Sequence, residues 1–159
     1  MKLRNGFVSN SSSSSFISFS MKDELIDIAS YTEYNNDPLV VDGNFGETEF
    51  GWGPDIIKGW QSMIIFSYLQ TRYAKNDDWL EMLENVIKKT LGVSEIIWEI
   101  ALNFWDSDDD YDKNRVYGYI DHQSNANEGA NTEMFIDEDT LTKFIFGKRS
   151  HIVLDNDNH

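Results

Sequence analysis

The segment Asp121-His122-Gln123-Ser124 sets a carboxylate beside an imidazole. Imidazole titrates near neutral pH, so His122 is a candidate general base or metal ligand, and Asp121 is the group that would orient it. Neighbours on one strand point to opposite faces, which works against that pairing; the plainer reading is a hydrogen-bonded loop brace. His151 and His159, with Asp155 and Asp157, offer further donors for a metal site of the kind nucleases and phosphatases use, although their spacing matches no ligand signature. Asp121, His122 and Asp155 form the candidate catalytic set.

A second stretch, Asp106-Ser107-Asp108-Asp109-Asp110-Tyr111-Asp112-Lys113-Asn114, has oxygen donors at alternate positions, as a calcium loop does. Asp108, Asp110 and Asp112 are the metal candidates, and a divalent cation is the candidate cofactor. The match to an EF-hand fails twice, because Tyr111 stands where the sharp turn wants Gly and Tyr117 where a bidentate Glu belongs. A solvated acidic hairpin loop over 106–114 is the simpler reading. Asp106, Asp108, Asp109, Asp110 and Asp112 repel one another, so a divalent ion or a basic partner would relieve the loop.

The third stretch is the serine run Ser9-Asn10-Ser11-Ser12-Ser13-Ser14-Ser15, held between Phe7-Val8 and Phe16-Ile17-Ser18-Phe19. Hydroxyls donate and accept, and small side chains admit a ligand, so Ser11, Ser12, Ser13, Ser14 and Ser15 are candidates to wrap an anion or a polar surface. A flexible connector is the alternative. Other chemistries find no motif. There is no G-x-S-x-G elbow, Walker A or G-x-G-x-x-G, and Gly46, Gly51 and Gly53 have the wrong spacing. The absence of Cys removes disulfides, thiolate metal sites and Cys nucleophiles, and is compatible with a reducing cytoplasm.

These residues need elements to position them. Phe7-Val8 and Phe16–Phe19 read as short strands joined by the serines, and Ser20 as the cap of a helix over 22–29. Leu39–Val41 and Glu47–Trp52 suggest a hairpin through Asp42-Gly43-Asn44. Pro54 opens a helix from Ile56 to Tyr73 that is apolar nearly all round, with Gly59 inside it as a mark of close packing. The following helix is the clearest: Asn76 or Asp77 caps it, Trp79, Leu80, Leu83, Val86, Ile87 and Leu91 recur at helical spacing, Glu84 precedes Lys88 by four, and Gly92 closes it. Ile96–Trp105 and Arg115–Ile120 read as a second hairpin around the acidic loop. Residues 121–133 look like a surface loop, Asp137 starts a short helix stopped by Gly147, and Ser150–Leu154 is a last strand. The expected fold is α+β, a largely antiparallel sheet with three to four helices packed on it, as a single domain over 1–159.

Five Trp, seven Tyr and ten Phe supply a core. Lys2 and Arg4 lead into Gly-Phe-Val and serines rather than an apolar run, so no signal peptide is expected and the chain is expected in the cytoplasm. No stretch reaches about 18 apolar residues, so no membrane partner is expected. The charge is lopsided: 28 acidic against 13 basic residues give −15 at pH 7. Such a surface repels phosphate backbones, so direct nucleic-acid binding is disfavoured and a protein with a basic surface is the natural partner. Solubility alone is the competing explanation of the acidity.

The opening Arg4-Asn5-Gly6-Phe7-Val8-Ser9-Asn10-Ser11-Ser12-Ser13-Ser14-Ser15-Phe16, with the ending Phe144-Ile145-Phe146-Gly147, Ser150, Ile152-Val153 and Asp155-Asn156-Asp157-Asn158, resembles a group of tailed-bacteriophage and bacterial proteins without assigned activity. The resemblance implies a phage origin and action in the host cytoplasm, and it supplies no catalytic residues to carry over. It also implies that the serine run and the Asp/Asn tail lie together. Three functions follow as expectations: an acidic accessory protein that binds a host or phage protein and inhibits host defence or nucleic-acid metabolism; a small-ligand or metal-dependent enzyme acting on a nucleotide or phosphorylated compound; or a minor virion or assembly component.

Overall fold

The computed structural model describes residues 13–30, 37–51, 55–102 and 115–156. In chain order these form β1 (Ser13–Ser18), β2 (Leu39–Val41), β3 (Glu49–Phe50), β4 (Asp55–Lys58), α1 (Trp60–Ala74), α2 (Asp77–Leu91), β5 (Ile96–Trp98), β6 (Ile100–Leu102), β7 (Val116–Ile120), α3 (Glu138–Phe146) and β8 (His151–Asn156). Single 3-10 turns lie at Ile28–Ser30, Ala126–Glu128 and Glu133–Phe135. The mixed α+β class holds, with three α-helices among the described residues.

The antiparallel expectation holds for one sheet of three. β8 lies between β1 and β4 and is antiparallel to both, whereas β2 pairs parallel with β5, and β7 pairs parallel with β3 and β6. Neither expected hairpin forms. The segments flanking Asp42-Gly43-Asn44 each find a parallel partner far along the chain, so alternation identified the strands but not their partners. For the same reason β6 and β7, the strands on either side of residues 103–114, run parallel and not as a hairpin. Residues 103–114 themselves lie outside the described residues.

Two helix boundaries also move. Residues 22–29 spend their backbone groups on the α3–β8 turn instead of on a helix: Ile26 N donates to the Phe146 carbonyl, Lys148 N to the Glu24 carbonyl, and Leu25 forms a bridge with Gly147. The backbone of 55–58 is likewise taken by β8. The chain then turns into α1 at Gly59, whose φ of 102° is a conformation a side chain disfavours. Gly59 is therefore the N-cap and not an interior packing residue. α2 matches its expected form, with Asn76 accepting from Trp79 N at 3.1 Å and Gly92 in the left-handed region at its end. Asp137 caps α3 by accepting from Thr140 N at 2.7 Å, which holds its carboxyl below the usual range.

The core surrounds α1. Twelve of its fifteen residues are buried, and β4, β6, β7, α2, α3 and the 126–128 turn all pack on it. Edge-to-face rings run through the interior from Phe19 to Phe144 to Phe66 to Phe50, with Phe50 and Phe66 centroids 5.0 Å apart. Tyr68 stacks on Trp98 at 4.1 Å, and Trp98 Nε1 donates to Glu84. The inner face of the β1-β8-β4 sheet adds Ile17, Ile152, Leu154 and Ile57 at alternate positions. No helix of the described residues is long and apolar enough to cross a membrane.

Gly118 sets how closely β7 approaches α1. A Cβ there would lie 2.6 Å from Leu69 Cδ2 and 3.1 Å from Ile100 Cγ2, and Leu69 is fully buried. Gly118→Ala is expected to destabilise the fold by about 1–3 kcal/mol through overpacking, read as a lowered urea midpoint at unchanged slope.

Candidate functional site

Ser15, the 121–131 loop and the C-terminal turns of α1 meet in a buried polar seam. Ser13, Ser14 and Ser15 are not loop: they begin β1, opposite Asn156, Asp155 and Leu154 of β8. Serine has little intrinsic preference for strands, so this segment is extended because β8 offers a ladder to it. β1 has β8 on one side only, and its other edge would expose unpaired backbone groups. The loop covers that edge with side chains. Ser124 Oγ accepts from Ser15 N at 2.7 Å, Asn131 Oδ1 accepts from Ile17 N at 3.3 Å, and Asn131 Nδ2 donates to the Ser15 carbonyl at 3.1 Å. The Asn131 amide thus imitates one peptide unit of a missing strand. It does so from φ 52°, a conformation Asn tolerates better than most residues.

α1 holds the other side of the loop. Gln70 Nε2 donates to the Ser124 carbonyl at 3.1 Å, and Gln70 Oε1 accepts from Ala126 N at 2.6 Å. Tyr73 Oη both donates to the Ile120 carbonyl and accepts from Ile120 N, each at 3.1 Å. These contacts fix the end of β7, where Asp121 and His122 stand.

Asp121 and His122 do meet. The strand ends at Ile120 and a turn follows, with Ser124 N and Asn125 N donating to the Asp121 carbonyl at 2.9 and 3.1 Å, so strand alternation no longer separates the two side chains. His122 Nδ1 lies 3.2 Å from Asp121 Oδ1, with the His122 side chain 73% exposed and that of Asp121 3%. Burial pushes the Asp121 carboxyl above its ordinary range, opposed by His122, by the amides of Gln123 and His122, and by the Ser124 hydroxyl. Its Oδ2 is buried without a hydrogen-bond partner, as are the Ser14 and Ser15 hydroxyls. Chemically, the pair is a carboxylate that orients an imidazole whose Nε2 is left for an external proton, the arrangement a general base requires.

The remaining candidates separate. Asp155 stands across from Ser14 on β8, which brings the serines beside part of the C-terminal tail. It lies on the sheet face opposite to Ser15, and no hydrogen bond or ion pair joins it to Asp121 or His122 among the described residues. Ser11, Ser12, Asp157 and His159 lie outside the described residues, as do Asp106, Asp108, Asp109, Asp110 and Asp112. Among the described residues no three His, Asp or Glu side chains come together to hold a metal ion. Sequence reasoning passed over Gln70 and Asn131. The signal for Gln70 was a long amide within an otherwise apolar helix, since a buried amide must find partners. Comparison of the chain with protein-family models, with curated proteins and with solved structures finds no match.

Because its carboxyl is raised by burial, Asp121 opposes folding when ionised, and that cost disappears as pH falls through its folded-state value. Asp121→Asn is expected to gain stability relative to the parent at pH 7, with the difference shrinking toward about pH 4. Urea midpoints of both proteins across that range measure it; a gap that widens on acidification contradicts the assigned direction.

Proposed function

We propose that the protein is an acidic binding module, a phage-encoded accessory protein that engages a host or phage protein through that partner's basic surface in the host cytoplasm, to the detriment of host defence or nucleic-acid metabolism. The observation that carries this reading is the uncompensated charge. The chain has a surplus of 15 acidic residues, and among the described residues Asp23, Glu24 and Glu138 form ion pairs with Lys or Arg. Asp77, Asp78 and Glu81 on the first turns of α2 and Asp137 and Asp139 at the start of α3 are exposed as well. A surface of one sign accelerates encounters with the opposite sign and excludes wrong partners. Asp106, Asp108, Asp109, Asp110 and Asp112 are the proposed contact residues.

Replacing those five Asp by Asn is expected to weaken binding to a purified basic DNA-binding protein of the host at least about tenfold, and raising salt from about 50 to 300 mM is expected to weaken it similarly. Titration calorimetry at both salts measures it, and an affinity indifferent to both changes rejects the reading.

A second reading, an enzyme acting on a nucleotide or phosphorylated compound with a divalent cation, draws support from the Asp121–His122 pair with its unpartnered Oδ2. It requires nucleotide with magnesium or manganese to raise the melting temperature of the parent and not of His122→Ala, because a ligand that prefers the native state stabilises it.

A further inference from the structure

Cations are scarce in this chain, with 13 Lys and Arg in 159 residues, yet several gather at one place. A groove of about 330 Å³ runs between the end of β4 and the α3–β8 turn, lined by Ile56, Lys58, Lys148, Arg149, Ser150 and His151. A neighbouring groove adds Lys22 and shares Lys148 and Arg149 with the first. Lys58 and His151 are direct partners in the β4–β8 register, so their side chains leave the same face of the sheet. Ile56, two residues before Lys58 and therefore on that face, is 54% exposed beside them.

The groove is built, not merely basic. Asp23, buried beneath it, accepts from Arg149 N at 2.7 Å and from Arg149 Nε at 3.1 Å, and so fixes the residue by both backbone and side chain. Burial raises the Asp23 carboxyl, yet the Arg149 contacts outweigh it and hold the group ionised below its ordinary range. A guanidinium has five N–H groups; Asp23 uses the one on Nε, and the side chain is 76% exposed. His151 Nδ1 lies 2.8 Å from the Arg149 carbonyl, which only accepts, so Nδ1 carries a proton and this contact helps hold the turn. Lys58 has no ion pair among the described residues, whereas Lys148 is held by Glu24 at 2.8 Å. The nearby carboxylates Asp23 and Glu24 are thus already engaged. Left over as donors are the Arg149 Nη groups and the Lys58 ammonium, beside an exposed apolar side chain.

We infer that this groove binds the phosphate group of a small phosphate monoester. A tetrahedral dianion offers its oxygens to the two Arg149 Nη groups and the Lys58 ammonium, and a forked guanidinium suits it in particular. Ile56 supplies an apolar wall for the body of the ligand, and the volume fits a small molecule. A net charge of −15 repels a polyanion approaching from a distance, which favours a small ester over a nucleic acid. The groove shares no residue with the acidic contact set or with Asp121 and His122, so its fate is independent of both readings above.

The test is titration calorimetry of the full chain with inorganic phosphate, adenosine monophosphate, ribose 5-phosphate and adenosine, and with a short single-stranded DNA. The three phosphate compounds are expected to bind and adenosine not; a nucleotide tighter than the sugar phosphate identifies a nucleotide as the ester, and the reverse a sugar phosphate. Lys58→Ala, at an exposed and unpaired position, is expected to weaken the preferred ester about tenfold, while Lys88→Ala on α2 leaves it unchanged. Arg149→Lys, which keeps the charge and removes the fork, is expected to weaken it at least as much with the melting temperature checked alongside. The assignment is overturned by a lack of binding at millimolar phosphate ester, by equal losses in Lys58→Ala and Lys88→Ala, or by the DNA binding more tightly than every monoester.

Discussion

Enclosure of α1 governs this molecule. A helix with twelve of fifteen residues buried cannot rest one face on a sheet and turn the other to water; it needs neighbours on every side. Among the described residues that demand accounts for three small sheets and two further helices distributed around it rather than one broad sheet with helices on one face. It also decides what the polar residues of α1 do. Ser62 Oγ accepts from Glu47 N at 3.0 Å, Gln70 grips the 124–126 segment, and Tyr73 grips Ile120. Ser62 and Gln70 are committed to loop backbone and Tyr73 to the end of β7, whereas Ser67 and Thr71 donate to carbonyls of the helix itself, because an unmet buried group costs more than a met one gains. The loops are therefore held by the same helix that organises the core.

This arrangement gives the 120–131 region its precision. Tyr73 fixes the end of β7, Gln70 fixes the next turn, and Ser124 and Asn131 close the open edge of β1. The Asp121–His122 pair emerges from a segment braced from both sides, so its geometry is inherited from α1 and β1 together. The close approach of Gly51 to Asp121, where a Cβ would come within 2.7 Å of the Asp121 Cβ, adds a third constraint. The Asp121 Oδ2 and the Ser14 and Ser15 hydroxyls are the buried groups of this region left without a hydrogen-bond partner among the described residues.

Electrostatics divides the surface into unequal parts. Acidic residues outnumber basic ones by 28 to 13, while the β4 end and the α3–β8 turn hold a local group of cations anchored on the buried Asp23. Asp23 serves two purposes there. It receives the amide and Nε of Arg149, and its own carbonyl accepts from Lys143 Nζ at 3.0 Å, tying the 20–25 segment to α3. The segment that sequence periodicity assigns to a helix is instead the strap that carries this anchor.

Local information settled what local physics controls. Cap residues, helical periodicity and closing glycines mark α2 and α3 from Asn76 to Gly92 and from Asp137 to Gly147, because those signals act within one or two turns of chain. Alternation located most strands, and the Asp121–His122 candidate was visible as adjacent residue types. Partnership between distant segments is where sequence reasoning ends. The parallel pairing of β2 with β5 and of β3 with β7, the capture of serines 13–15 and residues 55–58 by β8, and the loss of a helix at 22–29 to the α3–β8 turn all depend on which backbone reaches which. Backbone donors and acceptors are identical at every non-proline residue, so the sequence carries no label for their partners; only the packing around α1 selects among them.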